Sequence, residues 1–112
     1  MKKTLYLIDI DGTICEDVPN EEADRFATAK PLDGALEKIC ELYKEGHRIT
    51  FFTARTSEHA EVTENWLDRH GFPYESVCYN KPRINPGESY QWIDNHHVTG
   101  WWVPSGLSHN AS

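Results

Sequence analysis

The chain has 112 residues, with 18 acidic against 11 basic side chains and a formal net charge of −7. That is room for one compact domain, and 38% hydrophobic with 26% charged content describes a globular protein rather than a disordered one. The acidic balance argues against broad electrostatic binding of nucleic acid, although a bound cation and a few local Lys or Arg side chains can reverse the sign inside a pocket.

The first strand is read over 4–10, where Leu5-Tyr6-Leu7-Ile8 runs into Asp9-Ile10-Asp11-Gly12-Thr13. Two carboxylates at the carboxyl end of a buried strand repel each other and cost desolvation, so their placement points to a cation or a reaction. The preceding Met1-Lys2-Lys3 is basic, but the apolar run meets Asp9 too soon for a signal peptide. Residues 14–31, with Pro19, Asn20, Pro31 and several acids, read as loop or short irregular turns. From Leu32 the positions Leu36, Ile39 and Tyr43 recur at helical spacing, and Gly46 closes that helix.

A second strand is expected over 47–52, carrying Ile49, Phe51 and Phe52. Thr56 and Ser57 are natural N-caps for a second helix through Val62, Trp66 and Leu67, ended by Gly71. Short strands follow at 76–79 and 90–93, with a further one at 98–103. Residues 1–104 form the expected domain, and 105–112 a flexible tail. Strand–helix alternation predicts an α/β fold, a three-layer sandwich in which helices cover both faces of a mainly parallel central sheet. Ligands in such sheets bind beyond the carboxyl ends of the strands.

Four strand ends then supply one set of groups: Asp9, Asp11, Gly12 and Thr13; Thr53, Ala54 and Arg55; Asn80, Lys81 and Arg83; Asp94 and Asn95. Their order resembles the four motifs of the haloacid dehalogenase-like superfamily of phosphohydrolases. The resemblance spans 4–95. It implies a Rossmann-like core and a magnesium-dependent phosphatase working through an aspartyl-phosphate. Asp9 would be the nucleophile and Asp11 the general acid and base, with Lys81 neutralising the charge shared by Asp9 and the transferring group. Asp9, the backbone carbonyl of Asp11, and Asp94 or Asn95 would hold Mg2+. Thr53 would donate to a phosphoryl oxygen, within a substrate-binding set that also includes Gly12, Thr13, Ala54 and Lys81. Arg55 and Arg83 either hold substrate phosphate or pair with surface acids.

Other features carry plainer readings. His96 and His97 point opposite ways on an extended segment and are loop residues. Trp66 belongs to the core, whereas Trp92, Trp101 and Trp102 either cover the last strand or form a homo-oligomer contact. Cys15 is neutral packing. Three scattered cysteines, Cys15, Cys40 and Cys78, suit a reducing, cytoplasmic address. No apolar stretch approaches the roughly 18 residues that a bilayer requires.

Superfamily members usually carry a cap domain; here 14–31 is long enough for a flap but not for a folded cap. The expected substrate is a small phosphorylated metabolite, a sugar phosphate or a nucleotide. Competing readings are a phosphatase of macromolecular ends or phosphoproteins and a non-catalytic phosphate-binding module.

Overall fold

Three parallel strands order the molecule: β1 Leu5–Ile8, β2 Arg48–Phe52 and β3 Ser76–Cys78, lying side by side in that sequence. The computed structural model describes residues 3–89. Helix α1, Ala35–Lys44, connects the first two strands, and α2, Ala60–Arg69, the second and third. The register pairs Ile8 with Phe51 and Phe51 with Val77, so these side chains share one face of the sheet. Ile8, Ile49 and Phe51 on that face pack with Ile39 of α1 and Trp66 and Leu67 of α2 in a single core.

The opposite face is largely uncovered among the described residues. Leu5 and Leu7 are 43% and 45% exposed, and Ser76 and Cys78 are exposed as well. β1 is thus buried on one face, not two. Successive right-handed crossovers in the same direction put both helices on one side of a sheet, and the exposure pattern agrees. The expected second helical layer, the strands at 90–93 and 98–103, and the tail lie outside the described residues.

Both helices end by the same device. Gly46 and Gly71 adopt left-handed φ angles of 93° and 82°. Gly46 N donates to the Tyr43 carbonyl and His47 N to that of Leu42; Gly71 and Phe72 repeat this on Asp68 and Leu67. These paired bonds satisfy carbonyls that a helix end would otherwise leave open. The start of α2 differs from expectation. A 3-10 turn, Ser57–His59, precedes it, and the Thr56 hydroxyl donates to the Glu58 carboxylate at 3.0 Å instead of capping backbone.

Segment 14–31 holds the short irregular turns expected of it. This segment contains a run of 3-10 turns, Asn20–Thr28, broken at Glu22 and anchored by the fully buried Phe26. Trp66 Nε1 donates to the Ala29 carbonyl at 2.9 Å, and Arg69 donates to that of Ala27, so the segment is fastened along α2. It is packed as a wall along α2.

Candidate active site

The turn after β1 is built from its own backbone. Thr13 N and Ile14 N donate to the Ile10 carbonyl at 3.1 and 2.9 Å, and Gly12 N donates to the Cys15 carbonyl at 2.9 Å. Gly12 takes a φ of 80°, and a Cβ there would meet only Asp17 Cβ at 3.8 Å. Conformation rather than space therefore calls for glycine. The turn leaves Asp9 and Asp11 on one cleft of about 430 Å³, walled by Asp17, Val18, Pro19 and Asn20 on one side and Ala54, Lys81, Arg83 and Ile84 on the other.

The loops after β2 and β3 lock together to aim Lys81. Thr53 N donates to the Cys78 carbonyl, Lys81 N to that of Thr53, and Asn80 N to that of Arg55, each at 2.9 Å. Asn80 has a φ of 64°, a left-handed conformation that Asn tolerates better than most side chains. The reversal sends Lys81 to Asp9, with Nζ 3.3 Å from Oδ1. Asp9 Oδ1 also accepts from Ile10 N at 2.9 Å, while Oδ2 has no hydrogen bond among the described residues. Burial raises the Asp9 pKa above its ordinary value, against the lowering effects of Lys81 and of the Ile10 N–H.

Asp11 is held differently. Arg55 Nε donates to its Oδ2 at 3.0 Å and Nη2 to its Oδ1 at 2.8 Å, a two-point fork. Arg55 is 2% exposed, gives Nη1 to Thr63 Oγ1 of α2 at 3.1 Å, and lies over the Phe26 ring at 3.8 Å. Its guanidinium is engaged by Asp11, Thr63 and Phe26, which places Arg55 behind Asp11 and not on the cleft wall.

The other expected substrate contacts divide. Ala54, Lys81 and Arg83 stand on the cleft wall. Gly12 and Thr13 are absent from that wall, and their N–H groups are spent on the turn. Thr53 is fully buried and off the cleft wall, and its hydroxyl oxygen accepts from Arg55 N at 3.1 Å, a bond that leaves its own O–H to donate. Asp17, Val18, Pro19, Asn20 and Ile84 line the cleft without having been expected there. Cys15 packs beneath the turn, with Sγ 3.7 Å from the Ile10 carbonyl; burial, followed by the Asp11 charge, pushes its thiol up to about 12, which leaves it neutral.

The expected donors among the described residues, the Asp9 carboxylate and the Asp11 carbonyl, are hard oxygens of the kind magnesium takes. Among the described residues no three His, Cys, Asp or Glu side chains converge as a metal cluster. Asp94 and Asn95, the remaining expected ligands, lie outside the described residues, as do His96, His97 and Trp92, Trp101 and Trp102.

No family model matches the chain. It is 44% identical over 48 residues to a candidate nucleotidase of Bacillus cereus, covering 43% of this chain and 25% of that protein. It is 32% identical over 72 residues to a candidate 5'(3')-deoxyribonucleotidase of Chlorobaculum tepidum, covering 59% and 36%. The chain thus spans between a quarter and about a third of the length of these curated relatives. Among solved structures, a target protein from Vibrio cholerae superposes with a TM-score of 0.63 at 24% identity, covering 93% of this chain and 85% of that one. A D,D-heptose 1.7-bisphosphate phosphatase from B. bronchiseptica, complexed with magnesium and phosphate, superposes at 0.56 with 15% identity over 75% and 53%. These likenesses show a shared fold. The order of the motifs and the fold are similar to those of the haloacid dehalogenase-like superfamily.

Proposed function

We propose that this haloacid dehalogenase-like domain is a magnesium-dependent phosphatase of small phosphorylated metabolites, nucleoside monophosphates foremost. The carrying observation is the contrast on one cleft: Asp9 with an open oxygen beside Lys81, and Asp11 in a guanidinium fork. Asp9 attacks phosphorus; the bond from phosphorus to the leaving oxygen breaks, and a proton from Asp11 passes to that oxygen. In the second half Asp11 takes a proton from water, which attacks the aspartyl-phosphate; inorganic phosphate leaves and Asp9 is regenerated. Lys81 offsets the negative charge that Asp9 and the phosphoryl group bring together.

Asp9, the Asp11 carbonyl, and Asp94 or Asn95 would hold Mg2+, whose positive charge supports an ionised nucleophile and the negative phosphate. Arg83, exposed at the cleft rim, supplies a second cation for the substrate. Two neighbouring cations allow an acidic protein to take an anion. Val18, Pro19 and Ile84 give the same cleft apolar lining suited to a sugar or base.

Nucleotides head the substrate class because two relatives carry nucleotidase names. We also regard the domain as capless, since the one segment between the first two motifs is committed to packing on α2. A cytoplasmic address is supported by the unpaired state of Cys15, Cys40 and Cys78. Among the described residues no helix is long and apolar enough to cross a membrane.

Phosphate release from nucleoside monophosphates, sugar phosphates, phosphopeptides and 3'-phosphorylated oligonucleotides, each with and without magnesium, tests this reading. Magnesium-dependent turnover concentrated on nucleotides is expected. Release only from phosphopeptides or oligonucleotide ends would replace the substrate class. Failure on every substrate, with a beryllofluoride phosphate mimic still bound, would leave a phosphate-binding module.

A further inference from the structure

We infer that Arg55 is the positioning residue for Asp11, fixing the plane of its carboxyl group so that one oxygen faces the leaving group of the substrate. The inference rests on the phosphatase reading and adds to it a side chain that never meets substrate. Arg55 is the largest fully buried side chain among the described residues, and its surroundings hold it from several directions. Nη1 is tied to Thr63 on α2, the guanidinium face lies on Phe26, and Nε with Nη2 grips both oxygens of Asp11. Its backbone is pinned as well, through N to Thr53 Oγ1 and through the carbonyl to Asn80 N.

Such burial is a poor way to gain stability. Desolvating an arginine and a carboxylate is costly, and an apolar pair of similar volume commonly does as well or better. What an ion pair of this shape does supply is orientation. The terminal torsion of an aspartate is broad, so a single contact leaves the carboxyl plane free to swing. A fork makes two contacts and removes that freedom; a lysine, with one point of charge, does not. Oδ1 also takes the Cys15 thiol at 3.9 Å, so the lone-pair direction that remains for a substrate is on Oδ2, and Asp11 lies on the cleft. Proton transfer to a leaving oxygen depends on that alignment, whereas attack by Asp9 does not.

The dependence can be read from the leaving group. A nucleoside 5'-monophosphate expels an alkoxide that needs the proton; 4-nitrophenyl phosphate expels a stabilised phenolate that scarcely does. We expect Arg55→Lys, shown folded by circular dichroism and thermal melting, to lower kcat on the nucleotide about 100-fold with KM changed by no more than about twofold. On 4-nitrophenyl phosphate the fall should be less than about tenfold. Added to Asp11→Asn, the lysine should cost nothing further on the nucleotide, because the group it aims is already gone.

Equal losses on the two substrates, a change confined to KM, or full additivity with Asp11→Asn would overturn the inference while wild-type turnover upholds the phosphatase reading. A wild-type protein inactive on both substrates would overturn that reading, and this one with it. Should the lysine variant not fold, Thr63→Val releases only Nη1: the same substrate asymmetry at smaller size is expected, and an even loss overturns the inference.

Discussion

Asp9 and Asp11 are two residues apart, yet the chain surrounds them in opposite ways. Asp9 is 40% exposed at its side chain, touches Lys81 at one oxygen and offers the other to the cleft. Asp11 is 16% exposed, with both oxygens accepting from a buried arginine that is itself locked to Thr63 and Phe26. A nucleophile has to reach a substrate and shed its partners at the moment of attack; an acid has to keep its place. The difference teaches that identical side chains in one short motif acquire different roles from what lies behind them.

The largest effect should come from removing the nucleophile. Asp9→Asn is expected to lower turnover by a thousandfold or more, roughly the scale seen when a covalent nucleophile is deleted. The same substitution should stabilise the fold at neutral pH in metal-free buffer. Burial raises the Asp9 pKa, so the folded chain holds that proton more tightly than the unfolded chain. Its stabilising share is present below the ordinary carboxylate range and is lost as pH rises through the raised value. The asparagine loses nothing on the same climb, so the Tm advantage of the variant should widen as pH rises from the ordinary carboxylate range through the raised value. A wild-type rate would remove the mechanism, and a variant that melts lower throughout would contradict the contrast drawn for Asp9.

Lys81 comes next. Lys81→Met keeps much of the stem and deletes the charge, whose Nζ lies 5.7 Å from the centre of the Phe52 ring. A fall in kcat of about 100-fold is expected, the size found when one preorganised electrostatic group is lost. The loss should be similar for nucleotide and 4-nitrophenyl substrates, because Lys81 serves the phosphoryl group and not the leaving oxygen. A loss confined to nucleotides would move Lys81 to the Asp11 side of the comparison.

How legible these groups were depended on whether sequence distance or spatial distance set their neighbours. Asp9 and Asp11 could be placed because a short apolar strand delivers both, and the helix ends because Gly46 and Gly71 mark them. Lys81 followed from its position after β3. Arg55 could not be assigned: its partner lies 44 residues away, and only the packing of Phe26 and Thr63 decides which way it turns. The wall at 14–31 was hidden for a related reason. Its 3-10 turns lack apolar periodicity and hold together through Phe26 and through bonds from Trp66 and Arg69, contacts to α2 that no local pattern shows.

The smallest expected effect tests whether that wall belongs to the rigid or the open half of the cleft. Asn20 Nδ2 donates to the Ala54 carbonyl at 3.1 Å, joining the first residue of the 3-10 run to the loop that carries Arg55. Asn20→Ala removes one partly buried hydrogen bond, worth about 1 kcal/mol, so Tm should drop only by a few degrees. Phe26 stays in place, and with it Arg55 and Asp11, so kcat should remain within about threefold of wild type. What should change is KM for nucleotides, upward by severalfold, because Val18 and Pro19 lose the tie that holds them across from Ile84. A variant that lowered kcat and left KM untouched would show that strain at Asn20 reaches Arg55, and the wall would then belong to the clamp around Asp11 rather than to the substrate.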